Sequence, residues 1–163
     1  MTALATVKRH ARALLAALAA LVLVVTPALA MRVSPMVVEM ESRGTGAVAR
    51  IEVQNINPGN LAFQTRVFRM EIDKEGNIVE TPADQDFLIF PPQGVLPASG
   101  RQVVRLQWVG GGELAASQAY YVSVEQLPVA FEPGSAEALG AQVQVLYNMR
   151  ALVVVAPPGA KPD

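Results

Sequence analysis

The 163-residue sequence contains no cysteine. No disulfide can brace the chain, so its fold must rest on an apolar core alone. Its one histidine, His10, lies in the first thirty residues. Beyond them there is neither thiol nor imidazole, which removes Ser-His and Cys-His nucleophile pairs and nearly all transition-metal sites. A run long enough to cross a bilayer is also lacking. The longest apolar stretch, residues 13–25, has 13 residues against the ~20 a spanning helix needs. Charge is sparse as well, at 17% of residues. Beyond residue 30 there are ten basic and fourteen acidic side chains, a net charge of −4. That balance argues against nucleic acid or anionic lipid as a partner, since both attract clustered Lys and Arg.

The first thirty residues carry three recognisable parts. Lys8, Arg9 and Arg12 form a basic start, residues 13–25 are Ala, Leu and Val only, and Ala28-Leu29-Ala30 is a small-x-small cleavage site. Residues 1–30 therefore read as a cleavable export signal, with Met31 as the mature start. Export without disulfides fits the periplasm best.

The remaining acids are the only candidates for catalysis or metal binding. Asp84 and Asp86 flank a loop, and Glu71, Asp73 and Glu75 gather at a turn. No Glu closes a twelve-residue calcium loop, so these read as solvated turn acids. No catalytic, cofactor-binding or metal-ligating residue is assigned, and the chain reads as a non-enzyme. A calcium- or carbohydrate-binding sandwich is the weakest of the function classes.

What the chain has is alternation. Residues 33–40 (VSPMVVEM) form a strand interrupted by Pro35, which cannot donate to a ladder; the strand lies at an edge or changes sheets there. Residues 47–54 put Ala49, Ile51 and Val53 on one face. Residues 61–71 do the same with Phe63, Thr65 and Val67, and 101–109 with Val104, Leu106 and Trp108. Residues 119–127 turn Tyr120, Val122 and Val124 inward. Residues 86–90 (DFLIF) are a short apolar strand stopped by Pro91-Pro92. Residues 55–60 (NINPGN) and 73–77 are turns, residues 113–118 read as a helical turn, and residues 131–140 are a Pro/Gly/Ser/Ala loop. The whole is an immunoglobulin-like antiparallel β-sandwich of about seven strands.

The longest strand-like run is the last, residues 141–155 (AQVQVLYNMRALVVV). Val143, Val145, Tyr147 and Met149 share one face, while Val153–Val155 is apolar on both and reads as core. On periodicity alone the first row also reads as core. A long apolar strand at a sheet edge is otherwise an aggregation hazard.

Four pieces together resemble the N-terminal domain of the periplasmic PapD-like (chaperone–usher) pilus-assembly chaperones. They are FLIFPPQGVLPASGRQVVRL (87–106), SQAYYVSVEQLP (117–128), the opening strand with Asn55 and its Asn-rich loop, and the final strand followed by Ala-Pro. The likeness runs from Arg32 to Pro157. It divides the chain into a signal (1–30), the chaperone N-terminal domain (31–157) and a hinge or linker remnant (158–163), with no second domain following. It implies that the last strand is lent to a pilus subunit that lacks one, by strand addition. The donor residues would then be Val143, Val145, Tyr147 and Met149, facing the partner rather than the core. Partners so implied are pilus or fimbrial subunits, an outer-membrane usher, and a second copy of the chain through the same strand. Such chaperones hold the subunit's terminal carboxylate with two basic residues, at positions occupied here by Val37 and Leu152. Arg150 or Arg32 is the substitute anchor this reading offers. The family's Glu at the start of the aromatic strand is Ser117, which leaves Arg105 to another partner. These departures indicate a divergent branch. The competing reading is a structural or interaction sandwich of the cell envelope, without chaperone activity, that uses its last strand internally.

Overall fold

Two prolines mark the places where the chain crosses from one sheet to the other. The computed structural model describes residues 31–111, 114–128 and 145–160. Strand β1 (Met31–Ser34) pairs with β3 (Val48–Asn55), while β2 (Val37–Glu41) joins the opposite sheet. Between them stands the cis peptide Ser34-Pro35. The same happens at the cis peptide Phe90-Pro91. Strand β6 (Phe87–Phe90) lies in the first sheet and β7 (Gln93–Leu96) pairs with β4 (Leu61–Ile72) in the second. Proline has no N–H to give a ladder, so a crossover is where it costs least.

The remaining strands are β5 (Ile78–Pro82), β8 (Arg101–Trp108), β9 (Gln118–Leu127) and β10 (Asn148–Ala156). One sheet has the order β1-β3-β8-β6. The other has the order β2-β10-β9-β4-β5, with β7 also on β4. Every pairing is antiparallel except β2 with β10. This is a two-layer sandwich closed by alternation. Ile51, Val53, Val104 and Leu106 face Phe63, Val67, Val122 and Val124 across the core, all at most 1% exposed.

One end of the core is aromatic. Phe87, Trp108 and Tyr120 meet edge to face with centroids 5.1–5.5 Å apart, the arrangement ring quadrupoles favour. The Tyr120 hydroxyl lies 2.6 Å from Gln118 Oε1 and 3.1 Å from Asp86 Oδ2. Burial, and then the Asp86 charge, push its pKa well above the ordinary tyrosine value. At the other end, buried Asn55 stitches its loop to the turn before β8. Its Nδ2 donates to the carbonyls of Gly59 at 2.7 Å, Pro97 at 2.9 Å and Leu96 at 3.1 Å, and its Oδ1 accepts from the Asn57 N–H at 2.9 Å.

The inward residues expected from alternation occupy the core, and the chain does change sheets at Pro35. Among the described residues, ten strand segments replace the seven expected, for three reasons. The opening strand is two pieces. β5 is exposed throughout and shows no alternation of burial. β7 is four residues between proline turns. Edge strands of this kind form because a neighbour offers a ladder, not because their own pattern demands it. The helical turn expected at 113–118 is corrected. Leu114–Ser117 bend without helix, and Gln118 already opens β9. Gly112 and Glu113 lie outside the described residues, as do the expected signal at 1–30 and the loop at 131–140.

Candidate functional site

Strand β10 has two different edges. Against β9 it is paired throughout, from Asn148↔Glu125 to Val155↔Gln118. The pairing continues upstream, where the Gln126 N–H donates to the Tyr147 carbonyl at 2.8 Å. Against β2 it is paired only from Leu152↔Val37 to Ala156↔Glu41. There the Leu152 N–H donates to the Met36 carbonyl at 2.8 Å. Beyond that point the chain turns at Pro35 and β1 belongs to the other sheet. From Val145 to Ala151, therefore, the second edge of this stretch has no partner strand among the described residues. Backbone groups on such an edge can template pairing with another chain.

The odd-numbered side chains follow the same division. Val155, Val153 and Ala151 are fully buried. Met149 and Tyr147 are half-buried against the core cluster. Val145 is 59% exposed. The strand expected over 141–155 is corrected here: β10 begins at Asn148, so Tyr147 and Val145 precede it, and the row passes from core in the strand to solvent in the segment ahead of it. Val143 lies outside the described residues. Leu146, which the periodicity left aside, is also exposed at 46%.

The even-numbered side chains point outward, and Arg150 is the most constrained of them. Its Nη2 donates to Glu80 Oε2 on β5. Its guanidinium carbon sits 4.3 Å from the Tyr121 ring centroid and 5.8 Å from that of Phe68. A planar guanidinium suits both a carboxylate and an aromatic face. The bond from Arg150 holds the Glu80 carboxyl below the usual carboxylate range, and Glu80 raises Arg150 in return. As a carboxylate anchor, Arg150 already has its carboxylate.

Arg32, the other anchor suggested by sequence, is on the far side of the molecule. It lies on the outer face of the four-stranded sheet, in the cross-strand row Arg32–Gln54–Arg101. The structure does not bring Arg32 and Arg150 onto one surface. It does bring together Val37 and Leu152, which are direct register partners. Arg105 faces Arg50 and Phe90 across its strand, and its Nη2 reaches Gln107 Oε1 at 3.5 Å.

Two of the turn acids, Asp84 and Asp73, have structural bonds. Asp84 accepts from the Val67 N–H at 2.9 Å and from Arg66 Nε at 3.3 Å. Asp73 accepts from the Asn77 and Glu75 N–H groups at 2.8 and 2.9 Å, which, with the Asn77 amide, lowers its pKa and closes the β4–β5 turn.

Comparison with known proteins supplies the family. The family model described as "Pili and flagellar-assembly chaperone, PapD N-terminal domain" matches residues 23–161. No curated protein matches. Among solved structures, the Salmonella enterica complex of SafA pilin with the SafB chaperone aligns with a TM-score of 0.63 at 20% identity, covering 84% of this chain and 59% of that one. The CsuC–CsuE chaperone–tip adhesion subunit complex of the archaic chaperone-usher Csu pili of Acinetobacter baumannii gives 0.60 at 16%, covering 80% and 58%. The chain thus spans under two thirds of the length of these two matched chains. A PapD-like domain of human CEP192 gives 0.51 at 15% identity, covering 85% of this chain and 95% of that domain. At such identities these likenesses are of fold. The family match along nearly all of the described residues is more specific, and by it the chain belongs to the pilus-assembly chaperone family, as a PapD-type N-terminal domain.

Proposed function

We propose that this protein is a periplasmic chaperone that binds pilus subunits by lending them the first half of its last strand. The observation that carries this reading is the open edge of β10 with its graded row. Tyr147 and Met149 leave the core, and Val145 stands in solvent beside unpaired backbone. A subunit lacking a strand would gain backbone hydrogen bonds from the edge and alternate side chains for its groove. Val143 would extend the row by one more residue. The export signal read at 1–30 supports the compartment.

The test is co-expression with a pilus subunit that is insoluble alone. Wild-type chain should keep it soluble in a one-to-one complex, and Val145→Glu with Tyr147→Glu should lose it. A complex that survives both changes refutes strand lending.

A second reading is an envelope interaction sandwich without chaperone activity. The likeness to nearly the whole length of a CEP192 domain favours it, because there the same sandwich carries no pilus-chaperone description. On that reading the double variant would leave subunit solubility unchanged.

A further inference from the structure

The outward face of the sheet holding β10 is unlike a normal solvated face. Register places Val37 beside Leu152, Leu152 beside Tyr121, Tyr121 beside Phe68, and Phe68 beside Pro82. An unbroken non-polar row therefore crosses all five strands on the side of an antiparallel sandwich that is usually polar. Val37 is 59% exposed, and the next three are half-buried.

The row begins where the open edge ends. A strand added along Val145–Ala151, the start of β10 and the residues ahead of it, runs up against Met36, whose carbonyl already holds the Leu152 N–H. It can continue in the sheet no further. The inner side at that point is filled by Val33 and Val38, 3% and 6% exposed. The added chain must leave over the outer side, and there it meets Val37 and Leu152.

The charges around the row select what can lie on it. Glu39 follows Val37 on the same outward face, beside Val154. Glu80 stands at the far end of the row, bonded to Arg150. The Arg150 guanidinium over the row is already neutralised by Glu80, so among the described residues of the row an incoming carboxylate would find Glu39 and no cation left unpaired. Burying it unpaired is costly.

We propose that the partner bound along the open edge continues across this row, and that the segment reaching it is apolar and free of acidic groups. The row is then a second contact surface, one that reads the end of the added strand. The inference rests on the strand-lending reading above.

The test uses the full chain and three fluorescent peptides in a polarisation assay. One is an alternating Val-Thr 12-mer with Lys at its ends. The second adds Phe-Leu to either end, and the third adds Glu-Glu instead. The Phe-Leu extension at one end should tighten binding about tenfold, the effect of withdrawing about one such side chain from water. Glu-Glu at that end should weaken it. Val37→Glu, at an exposed position, should remove the gain while binding the plain 12-mer as wild type does, with an unchanged melting curve; Leu152→Glu, at a half-buried one, should do the same at a temperature where its circular dichroism is that of the folded wild type. A gain that survives both variants, or no gain from Phe-Leu at either end, overturns the second surface and leaves strand lending intact. Failure of the plain 12-mer to bind, or binding unchanged by Val145→Glu, overturns strand lending and this inference with it.

Discussion

A glutamate walked along the odd-numbered positions of β10 and the segment ahead of it separates the part that holds the sandwich from the part exposed to solvent. The three positions are Val153, Met149 and Val145. Val153 is 0% exposed, and a carboxylate there would be buried without a partner. Uncompensated buried charge costs about 3–5 kcal/mol or more. Domains of this kind have about 5–15 kcal/mol in all, so Val153→Glu should be largely unfolded or melt far below wild type. Met149 is half-buried at the margin of the core. Its glutamate can turn toward the open edge, and the expected loss is about 1–3 kcal/mol. Val145, at 59% exposure, should change stability by no more than about 0.5 kcal/mol.

The assay is circular dichroism, with thermal melts run beside subunit binding. At roughly 4 °C per kcal/mol for a domain of this size, the three variants are resolved from one another. Stability should rise from Val153→Glu through Met149→Glu to Val145→Glu. Binding behaves differently: Val145→Glu should fold like wild type yet lose about a hundredfold in affinity, since its charge must be desolvated against the subunit groove. The reasoning is refuted if Val145→Glu unfolds the protein, or if Val153→Glu melts with wild type. The first result would mean that the row packs internally along its whole length.

Three further outcomes follow from the geometry. Asn55→Ala should lower stability by about 2 kcal/mol in urea denaturation, because several buried polar partners, three carbonyls and one N–H, lose their bonds at once. Gly110→Ala should cost about 1–3 kcal/mol, since a Cβ there would meet the Trp108 ring at 2.3–2.9 Å. Glu80 and Asp73 have lowered pKa values, so the unfolded chain binds their protons more tightly. Their contribution is complete above roughly pH 4.3 and fades as pH falls through their folded pKa values. Acid melts of Glu80→Gln and Asp73→Asn should therefore converge on wild type below that point and diverge above it.

Much of this fold was legible because its long strands are half-buried and alternate. Ile51 with Val53, Phe63 with Val67 and Val122 with Val124 declare one dry face each, and Pro35 declares a break in pairing. β5 and β7 were not legible. Val79, Glu80 and Thr81 carry no period, and they are strand only because β4 lies beside them. The site divides likewise. The row of Val145, Tyr147 and Met149 showed as alternation, but its passage from core to solvent depends on where β2 stops, which no local pattern encodes. Arg150 looked free because Glu80 is seventy residues away in sequence. The outer row was invisible for the same reason. Val37, Phe68, Pro82, Tyr121 and Leu152 come from five stretches and become a row only through register.

An open apolar edge is a liability that natural sheets usually blunt with charge, proline or a bulge. Here the means were at hand: Pro35 and the guanidinium of Arg150 both lie close to the edge. Pro35 carries the chain into the other sheet, and Arg150 is drawn across the outer face to Glu80. Neither covers the backbone between Val145 and Ala151. The Arg150 guanidinium is thus held off the edge by a bond that spans β9 and β4, over the rings of Tyr121 and Phe68. That disposition has little value to a sandwich that needs only to stay folded. It agrees with the proposed strand lending, in which the last strand stays unpaired, apolar and in register until another chain completes it.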